Sequence, residues 1–241
     1  MKRILCLVLA VVLALSVVLF AGCGKEETKS SSTSKSSSSK ASVASGVEVI
    51  ELDPMSAEMQ AVADKFDIKE YRCTGLEYEY IVFVVKNNSD TDCGFNVVVN
   101  FYNKNKTLVD CQEEEIEALG AGQTSAVAVY ANEKFESYTS DVAATELTYY
   151  TAITKDLKLK VEENDSKLNA SVTNNGKKTA CFTTVNSLFF KGDEIYDFDK
   201  SYVGDDNSEI APGKTETKEI FKPAGCDRYE QYVNSYAKAE D

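Results

Sequence analysis

The sequence has no histidine and no tryptophan, and only three prolines and three methionines in 241 residues. Without histidine there can be no Ser-His-Asp triad, no Cys-His pair, no HExxH zinc site and no histidine-ligated haem. The side chain most used for proton transfer near neutral pH is missing as well. Positive charge is scarce: 26 Lys and Arg stand against 39 Asp and Glu, a net of −13. Nucleic-acid binding draws on a basic stripe, and none occurs here. Charge and composition thus exclude histidine-based hydrolysis, histidine-ligated haem and nucleic-acid binding before any motif is considered.

What is present starts with an address. Lys2 and Arg3 precede an uncharged apolar run of 17 residues, Ile4 to Phe20, which ends in small residues. A short basic region followed by such a run is the pattern of a secretory signal. The stretch Leu19-Phe20-Ala21-Gly22-Cys23 resembles the lipobox of bacterial lipoproteins. The resemblance implies cleavage before Cys23, a diacylglycerol on its thiol, and a chain anchored on the extracytoplasmic face of the membrane, as in Gram-positive bacteria. The competing reading of the same run is a single membrane-spanning anchor with an unmodified cysteine.

The expected organisation is a signal at 1–22, a lipidated Cys23 with a Ser-rich tether at 23–46, and two β-rich units at 47–154 and 155–241. Residues 24–46 hold ten Ser, four Lys and no aromatic, so they cannot bury enough apolar surface to order themselves. As a flexible chain they would span roughly 26 Å. Residues 47–241 carry 20 basic and 37 acidic side chains, a net of −17. Repulsion from anionic headgroups favours holding this part away from the membrane.

Asp53-Pro54 suits a helix start. Met55, Met59, Val62, Ala63 and Phe66 then form one apolar stripe at helical spacing. From Ile68 the period becomes two. Tyr78 to Val84 and Phe95 to Tyr102 alternate as half-buried antiparallel strands do. Asn103 to Lys106 and Gly120-Ala121-Gly122 are turns, with strands from Thr107 and over Thr124 to Tyr130.

The same order then recurs. Asn87-Asn88-Ser89 before Cys93 matches Asn174-Asn175-Gly176 before Cys181. Val99 to Tyr102 matches Ser187 to Phe190, Leu119 to Thr124 matches Ile210 to Thr215, and Phe135 to Tyr138 matches Tyr229 to Tyr232. Four matches in one order predict an internal duplication with one fold used twice. This pattern, over about 68–140 and 157–233, resembles the FxLyD-type domains of bacterial lipoproteins. The resemblance implies two tandem immunoglobulin-like antiparallel β-sandwiches without catalytic residues.

In the second copy, Tyr229, Tyr232, Val233 and Tyr236 fall at offsets 0, 3, 4 and 7, which predicts a C-terminal amphipathic helix. The second sandwich would then lack the strand that Ala144 to Ile153 supplies in the first. Its edge would lie open to strand addition or under that helix.

Five cysteines follow the lipid site: Cys73, Cys93, Cys111, Cys181 and Cys226. An odd number leaves at least one free or paired between chains. An exported location permits disulfides without requiring them, and if one forms, Cys181 with Cys226, both in the second copy, is the expected pair. Acidic groups at Glu113 to Glu117 and at Asp197, Asp199, Asp205, Asp206 and Glu209 lack EF-hand spacing and read as solvated surface. No metal, cofactor or catalytic residue is expected. The chemistry points to a non-catalytic surface protein that binds or scaffolds at the cell envelope, with an envelope protein or a glycan as partner. A carbohydrate-binding module is the alternative, with Tyr71, Tyr78, Tyr80, Tyr149 and Tyr150 as a stacking surface. An envelope hydrolase is the third class.

Overall fold

The computed structural model describes residues 42–74, 78–204 and 208–239. The signal, Cys23 and most of the tether lie outside the described residues. The described part is mostly β, built from antiparallel sheets.

The segment 42–46, read as the end of the tether, lies against the first half. Leu108 N donates to Ser42 O at 2.8 Å, and Ala44 N donates to Leu108 O at 2.9 Å. The short helix α1, Ala57–Ala63, starts later than Asp53-Pro54: Ser56 is its N-cap, with Oγ accepting from Met59 N at 3.2 Å. The apolar stripe holds regardless of the shift. Met55, Met59, Val62, Ala63 and Phe66 all join one cluster with Cys93 and Ala144, although Phe66 already belongs to the first strand.

Strands β1 (Phe66–Thr74), β2 (Glu79–Asn87), β3 (Cys93–Tyr102), β4 (Leu108–Leu119), β5 (Thr124–Tyr130) and β6 (Ser137–Thr145) make the first half. They form two sheets, in orders β1-β2-β5 and β4-β3-β6. Side chains alternate across β2 and β3, so Ile81, Phe83 and Val85 meet Phe95, Val97 and Val99 in one core. Strand β7, Tyr150–Ala152, follows, and a 3-10 turn at Thr154–Asp156 leads to the second half.

There, β8 (Leu157–Asn164), β9 (Lys167–Asn174), β10 (Cys181–Lys191), β11 (Glu194–Tyr202), β12 (Thr215–Phe221) and β13 (Arg228–Lys238) repeat the plan. The order β12-β9-β8 reproduces β5-β2-β1, and β11-β10-β13 reproduces β4-β3-β6. Leu168, Ala170, Val172, Val185, Phe189 and Val233 fill the second core.

The predicted C-terminal helix is a strand. β13 pairs with β10 from Phe190↔Arg228 to Cys181↔Tyr236. Offsets 0, 3, 4 and 7 also suit a strand with two covered faces. Tyr229, Val233 and Ala237 enter the second core, while Tyr232 and Tyr236 point to the other side. The second half is therefore not one strand short. Its β13 edge gains β7, which pairs through Tyr236↔Ala152, Ala237↔Thr151 and Lys238↔Tyr150. The strand expected over Ala144 to Ile153 is split: β6 ends at Thr145, and only Tyr150–Ala152 continues, on the other half's sheet.

Both faces of β2 and β10 are buried. Tyr80, Val82 and Val84 of β2, with Ala126 and Ala128 of β5, pack on Leu188 and Phe190 of β10 and Phe198 of β11. The β1-β2-β5 sheet thus serves two cores, and four sheets stack in succession. Tyr80 Oη donates to Asp197 Oδ1 at 3.1 Å and accepts from Phe198 N at 3.0 Å. Asn186 Nδ2 donates to Ala126 O at 2.8 Å across the same junction.

The expected Cys181–Cys226 disulfide does not form, and all five described cysteines are unpaired thiols. Cys181 opposes Tyr236 at one end of the β10–β13 ladder, whereas Cys226 precedes Arg228, which opposes Phe190 at the other end. Nine residues of strand separate these ends by about 30 Å, far beyond the ~7 Å limit between bridged Cα atoms.

Candidate functional site

The five tyrosines read as a stacking surface do not stay together. Tyr80 is buried in the junction between the halves, and Tyr71 packs edge-on against Phe190, with centroids 5.7 Å apart. Tyr78 is exposed just before β2. Tyr149 and Tyr150 lie at and beside the start of β7, and there the structure adds two rings that sequence reasoning missed.

Tyr150 contacts Tyr236 at a centroid distance of 4.2 Å, and Phe182 stacks on Tyr236 at 5.8 Å with planes 23° apart. The register explains the grouping. Tyr150 opposes Lys238 and Ala152 opposes Tyr236, so Tyr150 and Tyr236 are diagonal neighbours. Phe182 sits in a register shift between Cys181 and Thr184. Its φ is +47°, in the left-handed region that bulky residues avoid. This conformation turns the ring outward onto Tyr236. Phe182 is 52% exposed and Tyr149 76%, while Tyr236, covered by its neighbours, is 8% exposed. Burial, then Tyr150, Glu117 and Cys181, push the Tyr236 phenol up to about 12.

Two charged depressions border these rings, one through Cys181 and through Lys238, which opposes Tyr150, and one lined by Tyr150 itself. One, of about 370 Å³, is lined by Lys177, Lys178, Thr179, Cys181, Glu209, Ala237 and Lys238. None of its three lysines is in an ion pair among the described residues. The other, of about 120 Å³, includes Glu115, Glu117, Glu146, Tyr149 and Tyr150. Cys181 is the wall shared by the lysine depression and the ring stack. Its thiol is raised, first by burial and then by Glu209, which is the opposite of what activates a nucleophile.

A larger groove of about 520 Å³ runs between Glu51–Ser56 and the outer face of β3, β4 and β6. It is the seam left where the N-terminal segment lies on the sheet.

Glu113, Glu114 and Glu115 lie along β4, and Asp197 and Asp199 are on β11. Asp205 and Asp206 are outside the described residues. Among the described residues no three His, Cys, Asp or Glu side chains converge to hold a metal ion. No described helix is long and apolar enough to cross a membrane. The arrangement is suited to contact chemistry: ring faces for stacking, with cations and carboxylates beside them for hydrogen bonding.

No protein-family profile matches the sequence, and no curated protein does. Among solved structures, the chain is similar at a TM-score of 0.22 and 10% identity to red sea bream transglutaminase. That match covers 73% of this chain and spans only 32% of the transglutaminase.

Proposed function

We propose that this chain is a lipid-anchored, non-catalytic binding protein of the cell envelope. Its two six-stranded halves are tandem immunoglobulin-like sandwiches, fused into one body and presented outside the cell through Cys23. The observation that carries the binding role is the pair of solvent-facing rings, Phe182 and Tyr150, packed on the buried Tyr236 with charged groups beside them. Large apolar rings left in water, one of them on a strained backbone, stand against the general economy of a folded surface. The lipobox-like stretch ending at Cys23 supports the location.

The test uses the full chain in a bacterium that processes lipoproteins. Metabolic labelling with an alkyne-tagged fatty acid should mark the wild-type protein and not Cys23→Ser, and surface proteolysis of intact cells should remove the wild-type chain. Equal labelling of Cys23→Ser, or full protection from protease, would refute the placement.

A further inference from the structure

We propose that the Phe182–Tyr236–Tyr150 stack and the adjoining lysine depression form one binding site for a glycan that carries anionic groups. The inference rests on the binding role proposed above and names its ligand class. Three observations converge on it. The first is the row of rings. Pyranose rings present C–H faces, and flat exposed aromatic faces complement them. Phe182 is 52% exposed and Tyr150 37%, and Tyr149, 76% exposed, lines the acidic depression with Tyr150.

The second is charge. Over a chain of net −13, Lys177, Lys178 and Lys238 gather around one depression. Glu209 is the carboxylate among them, so cations dominate. In the second depression, beside Tyr149 and Tyr150, Glu115, Glu117 and Glu146 would repel an anion. They accept hydrogen bonds from neutral hydroxyls instead. A ligand with an acidic unit therefore has one orientation available: its carboxylate or phosphate on the lysines and its uncharged units across the rings toward the glutamates. Charge-assisted hydrogen bonds to a lysine are strong and salt-sensitive.

The third is strain. Phe182 holds φ +47° where glycine or asparagine would be at ease, and it places its ring half in solvent. A costly backbone that covers Tyr236 with one side of the ring and leaves half of the ring in solvent is understandable where the ring also meets a ligand.

The experiment uses full-length chain in a polyoxyethylene detergent, with binding read by titration calorimetry. The probes are a galacturonate hexamer, its fully methyl-esterified form, and a phosphorylated mannose oligosaccharide. The wild type should bind at least one of the two anionic probes, and the neutral ester at least ten-fold more weakly. The two anionic arms distinguish carboxylate from phosphate recognition. Phe182→Asn should lower affinity at least ten-fold while holding or raising the denaturation midpoint, because Asn tolerates the left-handed conformation. Tyr149→Ala, at an exposed position, should weaken binding without unfolding. Lys178→Gln with Lys238→Gln should remove the preference over the ester.

Absence of binding to both anionic probes overturns the proposal, as does affinity equal to the ester's and unmoved by Phe182→Asn. A chain labelled and displayed through Cys23 that binds no probe overturns the glycan assignment alone. A chain that binds the anionic probes without being displayed upholds the site and removes the envelope reading instead.

Discussion

Asn87 in the first half and Asn174 in the second make the same hydrogen bonds. Each Nδ2 donates to the carbonyl four residues on, Thr91 O and Lys178 O, both at 2.8 Å. Each also donates across to the next turn, to Leu119 O at 3.3 Å and Ile210 O at 2.8 Å. Each Oδ1 accepts from the backbone two residues on, Ser89 N and Gly176 N, both at 2.9 Å. The backbones agree too: Gly122 N donates to Asn87 O and Gly213 N to Asn174 O, both at 2.8 Å, with glycine φ of +73° and +74°. One buried carboxamide ties two turns to the end of a strand, twice in one chain.

Asn87→Ala and Asn174→Ala should each destabilise strongly. Each change removes three hydrogen bonds of a buried carboxamide, while Thr91 O keeps Ser89 Oγ and Ile210 O keeps Ala180 N. At about 0.5–1.5 kcal/mol per hydrogen bond lost, a loss of about 3 kcal/mol is expected. Urea denaturation followed by circular dichroism measures it. Losses below about 1 kcal/mol in both would mean that the turns close without the carboxamides.

These asparagines, and the glycines opposite them, are among the residues that revealed the duplication in the sequence. They were legible because their bonds are local and demand one residue type. The strands β2 and β3 were legible from their apolar, β-branched runs, but the burial of both faces of β2, read as half-buried, was not, because the second cover comes from β10. β13 was not, since Tyr229, Tyr232, Val233 and Tyr236 suit a helical stripe as well as a strand buried on two sides. What decides is β10, which supplies the ladder partner from another part of the chain. The ring stack was half visible. Tyr149 and Tyr150 stand adjacent in sequence, but Phe182 joins them through a bulge and a left-handed φ that no sequence pattern announces.

The thiols should be inert in the folded protein. Cys73, Cys93, Cys111, Cys181 and Cys226 are all buried and unpaired. Burial raises the first four, Cys93 to about 12, its neighbour Asp92 adding to the effect. Iodoacetamide at pH 8 should modify none of the five in native protein and all five after unfolding. Mass spectrometry of unreduced peptides should find no Cys181–Cys226 link. Detection of that link would mean a fold in which β10 and β13 pair otherwise.

Stability should rise as pH falls from 7 toward 5. Glu114 and Glu115 on β4 and Asp199 on β11 are held above the ordinary carboxylate range, with burial the leading cause at each. Such groups bind protons more tightly folded than unfolded, so unfolding free energy decreases as pH rises through their folded pKa. The urea midpoint should therefore be higher at pH 5 than at pH 7, and the triple change Glu114→Gln, Glu115→Gln, Asp199→Asn should flatten the difference. A midpoint that climbs steadily from pH 5 to 7 would contradict the assignment.

The two halves should unfold together. Leu188 of β10 is fully buried, yet it faces Val82 and Val84 of the first half rather than its own half's core. Each half keeps a separate core, so independence is conceivable, and the shared face is what couples them. Leu188→Ala removes about 2–5 kcal/mol by lost transfer and the cavity left behind. If the face couples the halves, that loss also reaches strands Leu188 does not touch. Amides of Val97 and Val99 in β3 lie in the first core, on the far side of β2 from Leu188. Their hydrogen exchange under native conditions should accelerate in Leu188→Ala by the same factor as that of β10, and urea unfolding should remain a single transition. Unchanged exchange at Val97 and Val99, with a second transition appearing, would show that the halves fold separately and only lean on one another.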